Sequence, residues 1–360
     1  MVKFINTNIF SEYFSKKLKA LKVRNFFILY VSDYFWIGAR GYKLYKYHIE
    51  SNRWTYFARL NEGVIMSLFA QFFLTRRLFR AEIRNLYVFN DNTILCISKK
   101  GIYKYNPSNR IFEKSFNVPR GTRPLSLCQS RNGSIFFGEY FSNYEKLPVH
   151  IYKSEDDGVN WNIAYTFDQG MINHIHGIFY DKFTDYLWVV TGDREDECII
   201  GYTDDEFSAF NIVFRGGQEF RTCRLLFYEN HIVYATDSQY IKNQIKCFDR
   251  KTLEITVLQE IQGSCIYSVQ SDAFSLLSTT VEPSKVNKDM KSYVWKSLDG
   301  LHWDCICGFE KDILSFKLFQ FGSIRFPEYN VSNNFSKIVF SGRALKKVDG
   351  NSFVIDLKNI

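Results

Sequence analysis

The chain has 360 residues, 46% hydrophobic and 23% charged, with 20 Gly and 6 Pro, proportions that exclude disordered, collagen-like and low-complexity classes. With 35 Phe, 23 Tyr and 6 Trp it is 18% aromatic, which favours pleated, half-buried β surfaces. The net charge of +8 is modest and dispersed, so no nucleic-acid partner is expected.

Met1 to Phe14 carries Lys3, Asn6, Asn8 and Glu12 and lacks the unbroken apolar core of a signal peptide. No stretch reaches ~18 apolar residues, so no transmembrane segment is expected. The basic run Lys16-Lys17-Leu18-Lys19-Ala20-Leu21-Lys22-Val23-Arg24 reads as a solvated helix or arm, placing residues 1–24 outside the main body. The eight cysteines are scattered without a zinc-type CxxC pair, which fits free thiols in a reducing, cytoplasmic setting.

From residue 25 to 360 the chain repeats itself. The first copy runs Phe26–Tyr30, Tyr34–Gly38, Lys43–Tyr47 and Trp54–Phe57. A second begins at Leu86, a third at Leu125, a fourth at His176, a fifth at Leu225, a sixth at Ile266 and a degenerate seventh at Phe319. Asn90-Asp91-Asn92, Ser130-Arg131-Asn132-Gly133 and Glu229-Asn230-His231 supply turns at the first joint of three copies. A unit of ~40–50 residues with four strands is the period of a propeller blade. The expected fold is therefore all-β, a single β-propeller of seven blades, with six as the alternative count. Between the first two copies, Ser67 to Arg84 reads as an amphipathic helix or insert. Its apolar face would carry Phe69, Phe72, Phe73 and Leu78, leaving Arg76, Arg77 and Arg80 exposed.

Ser154-Glu155-Asp156-Asp157-Gly158-Val159-Asn160-Trp161 fits the pattern S-x-D-x-G-x-x-W, and Ser297-Leu298-Asp299-Gly300-Leu301-His302-Trp303 is the same turn shortened by one residue. On these residues the chain resembles the sialidase-like Asp-box (BNR) β-propeller proteins. The resemblance implies a carbohydrate-active propeller in which the box, a structural turn, joins the third and fourth strands. Glycine there takes positive φ and the Asp side chain holds loop amides.

Strand parity locates a functional face. Second strands end at Arg40, Lys99, Glu139, Asp193, Asp237, Glu282 and Arg343, a charged residue in every copy. Leading into the first strands lie Arg123, His174, His176, Arg221, Arg224 and Gln320. In His174-Ile175-His176 the two imidazoles fall on one side of a strand. They are candidates for a general base, for substrate ligands or, with Gln320, for a divalent-metal cofactor, the ligand types that uronate-acting propeller lyases use. The candidate catalytic set is thus His174, His176, Glu139, Tyr140, Asp193, Asp237 and Glu282, with Arg40, Arg343, Arg224, Arg123 and Gln320 for substrate. Paired carboxylates would hydrolyse a glycoside, whereas a metal or Arg that neutralises a uronate would favour β-elimination. The leading expectation is a glycoside hydrolase or polysaccharide lyase acting on an acidic glycan. The rival is a non-catalytic propeller that binds a glycan or a protein.

Overall fold

Short apolar runs separated by Gly, Asn and Asp turns give an all-β chain. The computed structural model describes residues 2–11, 16–89 and 92–359, and among them only Val64–Phe69, Phe73–Phe79 and Phe316–Phe319 are α-helical. The turn residues Asn90 and Asp91 lie outside the described residues. The chain divides into two compact units, one of Met1–Leu86, Asn106–Phe112 and Gln262–Ile360, the other of Tyr87–Tyr105 and Glu113–Ile261.

The second unit is built from four-stranded meanders. One is Cys128–Gln129, Ile135–Gly138, Val149–Ser154 and Asn162–Phe167; the next is His174–Tyr180, Leu187–Gly192, Ile199–Thr203 and Asn211–Arg215. Thr222–Phe227, His231–Thr236, Asn243–Asp249 and Ile255–Ile261 form another. In the first unit Phe27–Ser32, Phe35–Arg40, Lys43–His48 and Arg53–Leu60 make the same figure, as do Cys265–Gln270, Ser275–Val281, Lys291–Ser297 and Asp304–Glu310. In all five the register shifts at the same joint, between third and fourth strands, at Leu44/Tyr45, Ile151/Tyr152, Ile200/Gly201, Ile245/Lys246 and Val294/Trp295. A bulge adds local twist, and its recurrence at one position marks these sheets as copies of one unit. The cores are apolar layers, such as Phe136, Ile175, Val189 and Ile199 in the second unit and Leu276, Val294, Ile338 and Phe340 in the first. Each such side chain contributes ~1.5–3 kcal/mol by burial.

Two expectations are corrected. The described residues of the 1–24 segment form neither a helix nor a free arm: Lys16–Val23 is a strand, with Leu21 opposite Val354, and Ile5–Ser11 pairs beyond it. It completes a sheet with Gly322–Arg325, Lys337–Arg343 and Ser352–Asp356. The open edge of the last of these strands outweighs the helical propensity of a Lys- and Leu-rich run. The insert near Phe72 is turned inside out as well. Arg76 and Arg77 are buried, while Phe72, Phe73 and Leu78 are exposed. Arg77 pairs with Asp312 and donates from Nε to the Phe319 carbonyl at 2.9 Å. Arg76 lies over the Phe27 ring. A buried guanidinium that finds a carboxylate and carbonyls is stable, and pattern alone does not reveal such partners.

Candidate functional site

The parity argument gives the right register. Glu139, Asp193, Asp237 and Glu282 each directly follow the last residue of a second strand. In the second unit, His174 sits opposite Gly192 at the start of its strand, and the register shifts between Ile175 and Gly177. The imidazole rings of His174 and His176 lie 5.0 Å apart. Gly192 makes room for them, because a Cβ there would stand 2.6 Å from His176 Cε1.

The hydrogen bonds fix the tautomers. His174 Nδ1 lies 3.1 Å from the Phe141 carbonyl oxygen and His176 Nδ1 lies 2.8 Å from that of Thr222. A carbonyl only accepts, so both Nδ1 atoms carry hydrogen and both Nε2 atoms present lone pairs when the rings are neutral. Those Nε2 atoms face each other at 3.1 Å. Asp193 Oδ1 stands 3.5 Å from the first and 3.4 Å from the second. With neutral rings three acceptors therefore converge, an arrangement that a bound cation, or a proton on one Nε2, satisfies. The separations match the ~3.3 Å edges of a tetrahedral site with ~2.0–2.1 Å metal–ligand bonds. Among the described residues these three are the group of His, Cys, Asp and Glu side chains arranged to hold a metal ion. Backbone carbonyls behind both rings supply the outer support that metal-binding imidazoles need.

Charged groups surround the triad. Arg221 Nη2 lies 2.9 Å from Asp193 Oδ1 and 3.7 Å from Asp237 Oδ2, and its Nη1 donates to the Asp193 carbonyl at 3.3 Å. Burial pushes the Asp193 carboxyl up, but hydrogen bonds and charge from both imidazoles outweigh it and hold it well below the usual carboxylate range. Asp237 is raised, because its burial outweighs Arg221. The Tyr140 ring packs on His174 at 4.3 Å between centroids. Sequence reasoning missed Asn173, whose Nδ2 donates to Asp193 Oδ2 at 3.3 Å, and Gln218, whose Nε2 donates to the Asp193 carbonyl at 2.8 Å.

Other expected site residues are engaged elsewhere. Glu139 is buried; its Oε1 accepts from Arg120 Nε at 2.9 Å and its Oε2 accepts from the His150 amide at 2.9 Å. It braces a sheet joint. Arg224 lies over the Phe179 ring, and Arg123 is buried. In the first unit Gln320 is buried and donates to the Arg77 carbonyl at 3.3 Å, and Glu282 is half-buried. Arg40 is exposed and donates to the carbonyls of Arg24 and Asn25. Arg343 is buried, lies over the Phe27 ring and pairs with Glu82 at 2.9 Å. Arg40 and Arg343 thus have separate partners.

The boxes fold as turns. Ser154 Oγ accepts from the Gly158 amide at 2.9 Å, Asp156 Oδ1 accepts from the Asn160 amide at 2.8 Å, and Trp161 Nε1 donates to the Gly158 carbonyl. Ser297, Asp299, Gly300 and Trp303 repeat this pattern. A third copy escaped the sequence reading. Thr203 Oγ1 accepts from the Phe207 amide at 2.9 Å, and Asp205 Oδ1 accepts from the Ala209 amide at 3.0 Å. Phe207 occupies the positive-φ position where glycine was expected.

No family model matches the sequence, and no curated protein sequence matches it. Solved structures do. A chain of a mitotic checkpoint complex superposes with a TM-score of 0.53 at 12% identity, covering 92% of this chain and 87% of that one. A GH74 enzyme of Niastella koreensis gives 0.52 at 12% identity over 78% of this chain, and a prolyl endopeptidase gives 0.51 at 8% over 86%. The superposed regions span 45% and 44% of those two longer chains. At such identities the likeness is one of fold: an all-β, propeller-like chain.

Proposed function

We propose that the chain is a metal-dependent enzyme acting on an acidic glycan, built as one seven-bladed propeller of the Asp-box kind. The seven blades are the five meanders above, the group from Asn85 to Asn117, and the sheet closed by Lys16–Val23. The observation that carries the reading is the convergence of His174 Nε2, His176 Nε2 and Asp193 Oδ1, three metal-ligand atoms within 3.5 Å of one another that a divalent ion would satisfy together. A divalent ion held there would polarise a substrate carboxylate. Arg221, fixed against Asp193, adds positive charge at the same place.

Elimination is favoured over hydrolysis. Two-carboxylate hydrolysis needs two carboxyl groups free to face the scissile bond. Glu139 is taken up by Arg120 and the His150 amide, and Asp237 is buried beside Arg221 and Cys223. In the proposed step the carbon next to the uronate carboxylate loses its proton to a group beside the imidazoles, for which we assign Tyr140. The electron pair of that C–H bond becomes the new C=C bond as the C–O bond to the leaving sugar breaks, and the leaving oxygen takes the proton from Tyr140, which serves first as the phenolate and then as the phenol.

The test is a chelator-treated protein, with and without added Mn2+ or Zn2+, incubated with polygalacturonate, alginate, hyaluronan and a neutral glucan. Metal-dependent ultraviolet absorbance from an unsaturated uronate, on acidic glycans alone, is the expected result. New reducing ends without that absorbance would make the enzyme a hydrolase. Glycan binding without turnover would make it a binding module, and absence of both would overturn the reading.

A further inference from the structure

Soluble helices hide their apolar side chains, and the helical insert of the first unit does the opposite. Val64 and Ile65 on the first helix are 86% and 68% exposed. Phe72 and Leu74, at the start of the second, are 59% and 52% exposed, and Ile313 and Leu318 are 94% and 59%. These segments are held together as one face. Phe69 and Phe79 stack at 4.3 Å, Arg77 donates to the Phe319 carbonyl, and Asp312, next to Ile313, pairs with Arg77. Burying Arg77 against Asp312 is what turns the apolar side chains outward. The exposure is thus built in by a paired, buried charge.

The exposed charge within this face has one sign, with the half-buried Glu62 at its border. Residues 63–81 and 313–327 contain no Asp or Glu. The exposed ionic groups within them are Arg80 and Lys317. Arg40 is also exposed, on the turn whose Gly41 abuts Ala70 at the end of the first helix. Nearby acids are neutralised: Asp312 by Arg77 and Lys311, and Glu310 by Lys346. Protruding aliphatic and Phe side chains fringed by cations match the boundary between headgroups and acyl chains of an anionic bilayer. No described helix is long and apolar enough to cross a membrane, so the contact is one of lying on the surface.

We propose that the face formed by helices Val64–Phe69 and Phe73–Phe79 and the 313–318 segment docks the protein on an anionic lipid surface. The apolar tips enter the interface and Arg80, Lys317 and Arg40 meet the headgroups. This goes beyond the proposed glycan activity and uses none of its residues.

The test is co-sedimentation of the whole protein with vesicles of phosphatidylcholine alone or mixed with phosphatidylglycerol. Binding should require phosphatidylglycerol and weaken with salt. Phe72→Ser combined with Leu74→Ser should weaken it by on the order of a hundredfold, since each loses a buried apolar side chain. Arg80→Gln and Lys317→Gln should each weaken it about fivefold. All four positions are exposed, so melting temperature and glycan activity should stay unchanged, which separates failure here from failure of the enzymatic reading. Light scattering on the same samples decides the alternative. A dimer that forms without lipid and is lost in the Ser double variant would overturn the proposal in favour of self-association. A monomer indifferent to both vesicles would overturn it outright.

Discussion

At His174, His176 and Asp193 three acceptors face one another, whereas at Glu82 two guanidiniums close on one carboxylate. Both groups are largely buried, and both were approached through the same strand register. The Glu82 group balances much of its charge internally: Arg325 Nη1 donates to Oε1 at 2.8 Å and Arg343 Nη2 lies 2.9 Å from Oε2, while Arg325 Nε and Arg343 Nε and Nη1 are buried without a hydrogen-bond partner. Its surplus charge rests on ring faces, Arg343 over Phe27 and Arg325 over Tyr267. Burial still pulls Arg343 below its ordinary value, with Glu82 opposing and Arg325 and Arg76 adding to the effect. The histidine group cannot satisfy itself with neutral rings. Burial of charge marks structure as readily as function, and what distinguishes the triad is that the atoms facing one another are three metal-ligand atoms.

The largest expected effect tests the charge-paired group at Glu82. Glu82→Gln leaves two buried guanidiniums facing a neutral amide, and should cost about 3–5 kcal/mol in denaturant unfolding. A loss under about 1 kcal/mol would mean that the rings carry these charges without the carboxylate, and the contrast would fail.

The triad should respond differently. Asp193→Asn keeps the shape, removes the anionic ligand, and should weaken Mn2+ or Zn2+ binding about a hundredfold or more by calorimetry on chelator-treated protein. Outer-shell changes alone cost ~10–100-fold, and a direct ligand should exceed them. Because Asp193 is partly exposed, stability of the metal-free protein should fall far less than for Glu82→Gln. Equal metal affinity in both proteins would remove the triad as a metal site.

A smaller effect distinguishes the turns. Thr203→Val removes the hydroxyl that accepts from the Phe207 amide and donates to Asp205. It should cost about 1–2 kcal/mol in thermal unfolding, as a buried amide loses its acceptor. Ser154→Ala should cost a similar amount if Thr203–Phe210 is the same device. A neutral Thr203→Val would show that its turn is held by the burial of Phe207 alone.

Much of the fold was legible because it repeats. Glycine, Asp and Trp at fixed offsets in Ser154–Trp161 and Ser297–Trp303 announce a turn, while Thr203–Phe210 hid because Phe replaces both Gly and Trp. The strand Lys16–Val23 was illegible for another reason: its partner, Ser352–Val354, lies more than 300 residues away, and its own composition favours a helix. The insert was misread because Arg77 needs Asp312, a pairing that no local pattern encodes. At the site, His174, His176 and Asp193 were legible from parity. Their burial was not, so His176→Ala, with a ring at 3% exposure, should lower stability as well as function. Glu139 stood in register with Asp193, but its capture by Arg120, 19 residues earlier, is tertiary.

The smallest effect turns on the residue before the Trp in the two boxes. Before the Trp, one carries Asn160 and the other His302, and each side chain bonds the box aspartate: Asn160 Nδ2 donates to Asp156 Oδ2, and His302 Nδ1 to Asp299 Oδ2, both at 2.6 Å. Only the second is titratable. The hydrogen bond and charge of Asp299 raise His302 above its ordinary value of 6.5. A raised histidine stabilises the folded state fully below that ordinary value, and the contribution is lost as pH rises through the raised one. Asp299 stays ionised throughout this window, because amide and imidazole hydrogen bonds outweigh its desolvation and hold it far below the usual carboxylate range. Melting temperature should therefore decline slightly across ~pH 6–8, the range in which histidines titrate. His302→Asn should flatten that slope, because it copies the box that does not titrate. Both side chains are exposed, so the change should be small and should shrink further in high salt. An identical slope in the variant would mean that the His302–Asp299 pair is not its source, and a slope of opposite sign would mean that His302 is not paired with Asp299 in solution.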